Sequence, residues 1–380
     1  MKKVCVVVAS RANYGRSKSV LTAIKNHPDL ELQLIVSASA LLYRFGNAIE
    51  IIKKDGFIPD ATVYMVIEGE TPSTMAKSTG LAILELATLF ENLKPDIVLT
   101  TADRYETMAT AVAASYMNIP LAHTQGGEIT GSIDESVRHA ITKLAHIHFP
   151  ATVKSRERLI KMGEEIDRIH LTGCPCIDII TDISLSIDGV FERYGGVGAR
   201  IHADKQYIVV LQHPVTTEFE SAFDQINQTL EAVKELQLQT IWLWPNVDAG
   251  TDSVSKGLRM FREKYNPEYI HFYRNFSPED YARIIYNCSC LIGNSSSAIR
   301  EGCYLGIPAV NIGSRQQGRE RGQNVIDVGH DSVEIKKAIE TQIKHSRYER
   351  DTLYGTGTAG INIAEILAGC NITIQKKLSY

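Results

Sequence analysis

Carboxylate side chains gather in two polar stretches of the sequence, and each stretch follows a short apolar run. Asp103 follows the run 96–101. Glu128 and Asp134 follow a second run that ends at His123. Carboxylates held close together perturb one another's pKa values, so that one can accept a proton while another donates it. This pattern predicts proton transfer on a bound substrate, whereas capping of helix N-termini by the same carboxylates is the structural alternative.

The longer of the two stretches, residues 123–146, predicts a strand end, a polar loop and a helix. The chain turns at Gly126-Gly127, and Ile141 belongs to the apolar side of the helix beyond. Gln125 and Arg138 add polar groups to this stretch. Most strand-to-helix connections are shorter, and open α/β sheets place their chemistry at the carboxyl ends of strands. The loop is therefore a candidate site, with a solvated loop as the alternative.

Residues 291–302, LIGNSSSAIREG, predict a phosphate site. An apolar strand leads there into three serines and then a helix, so free backbone N–H groups, hydroxyls and the helix dipole could meet an anion. Arg300, Arg315 and Arg319 could add charge-assisted hydrogen bonds to a diphosphate. A serine-capped helix without a ligand is the alternative. The motif lacks the G-K-[ST] of a Walker loop.

Three further polar residues follow predicted strands. Arg11 follows the first strand, where it could meet an anionic ligand or form a surface salt bridge. His213 closes the first strand of the second half, and Asn246 follows the next strand, where it could bind a sugar or a base. The first strand is not followed by G-x-G-x-x-G, so dinucleotide binding has little support.

Apolar strands alternate with amphipathic helices along the chain, which predicts an α/β fold. Strands this uniformly apolar are buried on both faces, as in a parallel sheet covered by helices. The strands are predicted at 4–9, 31–37, 62–66, 96–101, 119–123, 147–150, 168–172, 206–212, 239–244, 269–273, 290–293, 308–312 and 324–328. The pattern loosens near residues 176–203 and then restarts. We therefore expect two doubly wound, Rossmann-like domains, 1–180 and 181–358, with a last helix from residue 359 that could pack on either.

Composition narrows the classes of function. The chain has 380 residues, is 44% hydrophobic and 22% charged, and carries a formal net charge of -4, so nucleic acid is not an expected partner. No apolar run reaches membrane-spanning length, and we expect a cytoplasmic protein. The odd count of seven cysteines argues against a disulfide framework. The pairs Cys174-Pro-Cys176 and Cys288-Ser-Cys290 lack the usual spacing of zinc ligands, so we expect buried thiols.

Taken together, these motifs resemble the hydrolysing UDP-N-acetylglucosamine 2-epimerases of the sialic-acid pathway. The resemblance extends in order from residue 1 to about residue 330. The motifs that carry it are Arg11-Ala-x-Tyr14, Asp103-Arg104, GGEITGSIDESVRHAITK at 126–143, HPVTTE at 213–218, Pro245-Asn-x-Asp-Ala-Gly250, GNSS at 293–296, Arg300-Glu301 and GSRQxGR at 313–319.

The resemblance implies a GT-B-like pair of domains with the active site in the cleft between them, and a C-terminal segment, 359–380, that returns to the first domain. It implies that UDP-N-acetylglucosamine and water give N-acetylmannosamine and UDP, without a metal or another cofactor. A base removes the C2 proton, UDP leaves from C1, and water adds to the glycal intermediate. A UDP-sugar substrate and a homodimer or homotetramer are implied as well, and no membrane or nucleic-acid partner.

The resemblance also assigns roles to residues. The catalytic residues that it implies are Asp103, Glu128, Asp134 and His213. The substrate-binding residues that it implies are Arg11, Arg104, Gln125, Arg138, Asn246, Phe276, Ser295, Ser296, Glu301 and Arg315. Some relatives have a glutamate in place of Gln125, and an amide cannot transfer protons as a carboxylate does. Glu128 or Asp134 would then carry that step.

Two alternatives remain open at this point. Relatives that act on a UDP- or GDP-linked 2,4-diacetamido-2,4,6-trideoxyhexose, on the route to legionaminic acid, share these motifs and the same chemistry. A GT-B glycosyltransferase would use the same nucleotide site without chemistry at C2. The cluster of carboxylates argues against the transferase, and against a protein that only senses nucleotide-sugars.

Overall fold

The computed structural model of the protein describes residues 1–379 and contains two β-sheets. The first sheet has six strands: β1 (Lys2–Val8), β2 (Leu30–Ser37), β3 (Ala61–Val63), β4 (Ile97–Thr101), β5 (Leu121–Thr124) and β6 (Ile147–Phe149). The second has seven: β7 (Gly196–Gly198), β8 (Tyr207–Leu211), β9 (Gln239–Leu243), β10 (Ile270–Tyr273), β11 (Cys290–Gly293), β12 (Ala309–Ile312) and β13 (Val325–Val328).

The strand order predicts a crevice at the carboxyl ends of the strands in each sheet. The first sheet runs β3-β2-β1-β4-β5-β6, and all its strands are parallel. The second runs β13-β12-β11-β8-β9-β10-β7, and only the edge strand β7 is antiparallel. Strand order therefore reverses between β1 and β4, and again between β8 and β11. Open α/β sheets bind ligands outside the carboxyl ends of the strands at such a reversal.

Helices connect the strands and cover the sheets. They are α1 (Arg11–Gly15), α2 (Lys18–Asn26), α3 (Ala48–Lys54), α4 (Pro72–Leu93), α5 (Tyr105–Tyr116), α6 (Asp134–Leu144), α7 (Val153–Lys161), α8 (Pro175–Thr181), α9 (Ala222–Leu236), α10 (Thr251–Tyr265), α11 (Pro278–Asn287), α12 (Glu301–Leu305), α13 (Ser332–His345) and α14 (Ala359–Gly369). Together with the two sheets they form the GT-B-like, doubly wound α/β architecture that the sequence predicts.

Apolar spacing explains how the helices attach. Helix α2 buries Leu21 and Ile24 against the first sheet, three residues apart and so on one face of the helix. Helix α14 buries Ile363 and Leu367 in the same core, four residues apart. The C-terminal helix thus packs beside α2 on the first sheet. The limits of the two domains, 1–180 and 181–358, stay a prediction.

Three local predictions differ from the structure. The strand predicted at 168–172 is wrong, because Ile169 makes only a single bridge to His148 and the chain before it forms a 3-10 turn. Conversely, β7 lies in the glycine-containing stretch that periodicity left without structure. Apolar spacing predicts a helix over 79–93, whereas helix α4 begins earlier, because Thr71 caps it and Pro72 is its first residue.

Candidate active site

The carboxyl ends of strands in both sheets face one cleft, whose volume is about 1160 Å³ when the space open to solvent is included. Most of the predicted site residues line it. They are Arg11, Asp103, Arg104, Asp134, His213, Asn246, Phe276, Ser295, Ser296, Glu301 and Arg315. These residues are distributed over both halves of the sequence, so only the fold brings them together.

Gln125, Glu128 and Arg138 do not line the cleft. Gln125 and Arg138 are completely buried, and the Glu128 side chain is 3% exposed. Contact of these three side chains with a ligand, which the resemblance implies, stays a prediction. They lie behind the wall of the cleft and support residues that form it. Gln125 has a left-handed backbone (φ 62°) and donates from Nε2 to the Cys174 sulfur at 3.5 Å.

A buried cluster of charges joins the two sheets behind the cleft. The Arg138 guanidinium donates to the Asp103 carboxylate and, at 2.8 Å, to the backbone carbonyl of Glu128. Arg300 donates to the Glu128 carboxylate, and Arg319 lies 3.5 Å from that carboxylate and 3.9 Å from Asp103. Three guanidinium groups thus share two carboxylates. Burial and the neighbouring cations lower the pKa of Arg138 and of Arg319.

Electrostatics within this cluster keep Glu128 ionised. Burial by itself would raise the pKa of Glu128, but the charges of Arg300 and Arg319 outweigh burial and lower it. A carboxylate with a lowered pKa and two buried cationic partners is a weak base. The Glu128 carboxylate is therefore suited to holding Arg300 and Arg319 in place across the domains.

Asp134 is in a different environment, although it comes from the same loop. It is the first residue of α6 and lies 3.8 Å from Arg315 of the second sheet's loops. Burial, reinforced by the charge of Asp248, raises the pKa of Asp134 against the opposing effect of Arg315. A carboxylate with a raised pKa that borders the cleft is a stronger base than an ordinary aspartate and is placed to exchange a proton with a ligand there. Asp134 does not act as the N-cap, which was the structural alternative, because α6 begins at Asp134 itself and the residue before it is Ile133.

His213 is held in one tautomer at the end of β8. Its Nδ1 accepts a hydrogen bond from the backbone N–H of Asn246 at 3.1 Å, and Asn294 bonds both the N–H and the carbonyl of His213. Burial and the charges of surrounding arginines, Arg315 foremost, lower the pKa of His213 well below its usual value. The imidazole is therefore neutral and presents Nε2–H as a donor.

The serine turn after β11 forms part of the cleft wall. Ser295 and Ser297 share a hydrogen bond of 2.9 Å, Tyr281 reaches Ser297 at 2.6 Å, and Arg16 donates to Ser296. The helix predicted after the serines is short, because a 3-10 turn follows them and α12 has only five residues. A contribution from its dipole stays a prediction. Hydroxyls and guanidinium groups remain as the anion-binding groups.

Glu301 and Phe276, both from the half of the chain that forms the second sheet, give the cleft a polar acceptor and an apolar wall. Glu301 has a buried carboxylate oxygen, Oε2, with no hydrogen-bond partner anywhere in residues 1–379. Because a buried carboxylate oxygen is costly without a donor, this atom is a fitting acceptor for ligand hydroxyls. Phe276 packs at 4.7 Å from Tyr273 and from Tyr194, between ring centroids, and gives the cleft an apolar wall.

Arg11 and Arg104 bridge the two halves of the chain. Arg11 donates to the backbone carbonyls of Arg274 and, at 2.5 Å, of Trp244. Arg104 lies 2.9 Å from the Asp248 carboxylate and donates to the carbonyl of Val247 at 2.7 Å. Both guanidinium groups border the cleft, so they can exchange these contacts for a ligand.

Among the polar residues that line the cleft, sequence reasoning missed Arg16 and Tyr281. Arg16 directly follows helix α1, which begins at Arg11, and a second cation there was a usable indication. Tyr281 lies on α11, which no motif distinguished.

Within residues 1–379 no group of three or more His, Cys, Asp or Glu side chains is arranged to hold a metal ion. None of the helices described is long and apolar enough to cross a membrane.

Two Rossmann-like sheets around a cleft with carboxylates on one side and anion-binding groups on the other define a GT-B-like enzyme of nucleotide-sugar chemistry. The sequence model of the family described as UDP-N-acetylglucosamine 2-epimerase matches residues 22–368. The chain belongs to this family.

The names of relatives of this chain point to different sugars. A protein of Legionella pneumophila named UDP-N,N'-diacetylbacillosamine 2-epimerase (hydrolyzing) is 33% identical over 97% of this chain and 96% of its own length. Polysialic acid biosynthesis protein P7 of Escherichia coli is 34% identical over 89% and 85%. The crystal structure of the Neisseria meningitidis UDP-GlcNAc 2-epimerase bound to UDP-GlcNAc has the same fold, with a TM-score of 0.77, 18% identity and coverage of 96% and 99%.

Proposed function

We propose that the protein is a hydrolysing 2-epimerase that converts UDP-N-acetylglucosamine and water to N-acetylmannosamine and UDP. The observation that carries this proposal is the division of the cleft. Asp103 and Asp134 border it from the first sheet, and His213, the serine turn and Arg315 border it from the second. Removal of a weakly acidic C2 proton needs a positioned base and a stabilised leaving group at the same time.

Asp134 is the carboxyl group best suited to proton transfer at C2. Its raised pKa, caused by burial, makes it more basic than an ordinary aspartate. Asp103 keeps an ion pair with the buried Arg138, which fixes its carboxylate at the cleft wall. These two carboxylates, one on each neighbouring loop, are the candidates for removing the C2 proton and for returning one to the opposite face of the glycal.

Departure of UDP is assisted from the opposite wall. Neutral His213 donates from Nε2, and Ser295, Ser296 and Arg315 supply hydroxyl and guanidinium donors for the diphosphate. Because His213 carries no charge, it stabilises the developing negative charge by hydrogen bonding without giving up a proton. The unpartnered oxygen of Glu301 is the proposed acceptor for the ribose hydroxyls. Water then adds at C1 and completes N-acetylmannosamine.

The same chemistry on a UDP- or GDP-linked 2,4-diacetamido-2,4,6-trideoxyhexose is the second candidate. It is favoured by the Legionella pneumophila relative, which is as similar to this chain as the polysialic acid protein is. The sugars differ at C4 and C6, away from the C2 proton and the diphosphate. The residues proposed for elimination therefore serve both substrates equally.

Incubation with each nucleotide-sugar in D2O, followed by NMR, tests the proposal. UDP together with N-acetylmannosamine deuterated at C2 supports the first candidate, and UDP with the deuterated diacetamido sugar supports the second. UDP-N-acetylmannosamine would mean a non-hydrolysing epimerase. Release of UDP only with an added acceptor would mean a glycosyltransferase. Asp204→Asn, at an exposed position, is the matched control for Asp134→Asn.

We keep a cytoplasmic, homodimeric or homotetrameric enzyme as part of the proposal. Nucleotide-sugars are made in the cytoplasm, and two of the relatives named above have a UDP-linked sugar in their names. Sedimentation of the purified chain gives its assembly state directly.

A further inference from the structure

Two cysteine sulfurs lie in contact at the wall of the cleft. Cys174 Sγ and Cys176 Sγ are 3.2 Å apart, and both side chains are buried. Pro175 between them is the first residue of α8, which folds the backbone back so that both side chains point the same way. Cys176 borders the cleft, whereas Cys174 lies behind it. A small oxidant that enters the cleft therefore reaches this pair.

The sulfur of Cys174 contacts the buried cluster of charges behind the cleft. It lies 3.5 Å from Arg300 Nη1 and 3.5 Å from Gln125 Nε2. Burial would raise the pKa of Cys174, but the hydrogen bond from Cys176 and the charge of Arg300 lower it. The lowered pKa of Cys174 favours formation of its thiolate, which is the reactive form of a cysteine.

We propose that Cys174 and Cys176 are a reversible modification site, where a peroxide oxidises the two thiols to a disulfide and switches off the reaction in the cleft. The proposed mechanism uses neither cysteine, so the inference goes beyond the proposed function.

The chemistry balances with peroxide as the oxidant. The thiolate of the pair attacks one peroxide oxygen, the O–O bond breaks, and a sulfenic acid and hydroxide form. The partner sulfur then attacks the sulfenic sulfur, an S–S bond forms, and hydroxide leaves. The two thiol protons convert the two hydroxides to water. Two thiols and one peroxide thus give one disulfide and two waters.

Disulfide formation would disturb the cleft through Arg300. The sulfurs must close from 3.2 Å to about 2.05 Å, which moves Cys176 at the wall. The thiolate that faces Arg300 and Gln125 is lost at the same time. Arg300 then has Glu128 as its remaining buried anionic partner. We expect activity to fall on oxidation and to return on reduction.

The chain contains a matched internal control. Cys288-Ser-Cys290 is also a buried C-x-C pair, but Cys288 bonds the carbonyl of Ile285 and no contact joins the two sulfurs within the described residues. Burial raises the pKa of Cys288 to about 12. Each pair falls in a single tryptic peptide, 169–193 and 284–300. Their redox states can therefore be measured in one digest.

The test treats the whole enzyme with hydrogen peroxide, alkylates it after denaturation, and maps both peptides by mass spectrometry. We expect the Cys174–Cys176 peptide to lose about 2 Da and resist alkylation, and the control peptide to be alkylated. Dithiothreitol should restore both alkylation and activity, and bound UDP should slow the oxidation because Cys176 borders the cleft. Equal oxidation of the two pairs, or a fully alkylated Cys174–Cys176 peptide, would overturn the proposal.

Variants of the two cysteine pairs test whether formation of the disulfide causes the loss of activity. For Cys176→Ser we expect peroxide inactivation to slow about tenfold relative to its own untreated rate, because no resolving thiol remains. Cys290→Ala should inactivate as the unmodified chain does. If Cys176→Ser loses activity to peroxide as fast as Cys290→Ala, the disulfide is not the switch. Because the mass shift does not depend on the reaction catalysed, failure of the proposed function would leave this result interpretable.

Discussion

Replacing Glu128 by glutamine distinguishes a supporting role from a catalytic one. The substitution keeps the size of the side chain and removes the charge that faces Arg300 and Arg319, whose side chains are 1% and 3% exposed. Leaving buried charges without their partner costs about 3–5 kcal/mol. The glutamine oxygen still accepts one hydrogen bond, so we expect destabilisation of about 3 kcal/mol, at the lower end of that range.

The expected kinetic result follows from the same contacts. Arg319 borders the cleft and is released from its anion, so UDP affinity should not weaken. Turnover should fall because Arg300 and Arg319 no longer hold the two halves of the site in register. Glu128→Asp keeps the charge and should recover part of both stability and kcat.

Urea unfolding, UDP titration calorimetry and steady-state kinetics on Glu128→Gln, Glu128→Asp and Glu157→Gln measure these effects. Glu157 is exposed on α7 and serves as the matched control. An unchanged urea midpoint together with complete loss of kcat would refute the reasoning. It would mean that the Glu128 carboxylate acts on the substrate itself.

Three further perturbations have defined outcomes. Asp134→Asn should lower kcat by about 10²-fold or more without loss of stability. It should also remove the acidic limb of the kcat/KM profile. In the unmodified enzyme kcat/KM falls along this limb as the pH drops through the pKa of Asp134, which burial raises. His213→Gln should retain more activity than His213→Ala, because the neutral imidazole acts only as a donor, and no limb between pH 5 and 8 should disappear with it. For Glu164, burial would raise the pKa, but hydrogen bonds from His148 (2.9 Å) and Lys143 (2.6 Å) help lower it to about 2. This lowered pKa stabilises the fold above the unfolded pKa, so Glu164→Gln should cost about 3 kcal/mol in urea unfolding at pH 7, and the difference should shrink as the pH falls from about 4.5 towards 2.

The order of strands and helices was predictable from the sequence because buried positions in each element are mostly occupied by apolar residues. β4 and β11 are buried at every position and mostly apolar, as expected in a parallel sheet covered on both faces. The exceptions have local causes. Strand β7, Gly196–Gly198, pairs through its backbone at an exposed sheet edge, so its side chains carry no apolar pattern.

The candidate site was predictable in part, for a related reason. Polar residues directly after buried strands, such as Asp103 and His213, must lie at the carboxyl edge of a sheet, and the structure places both in the cleft. Residue type and position relative to a strand were sufficient there. Tyr281 lies on a helix, and nothing in its own sequence neighbourhood indicated that it faces the cleft.

The sequence by itself determined the fold class, the family motifs and the set of polar loops from which a site could be built. Only the tertiary structure decided which members of a loop face the ligand. Glu128 and Asp134 are six positions apart, yet one is enclosed by Arg300 and Arg319 and the other borders the cleft. Charges that come from distant parts of the chain set these two environments. Pairing of that kind depends on how the two sheets approach each other, which no local pattern records.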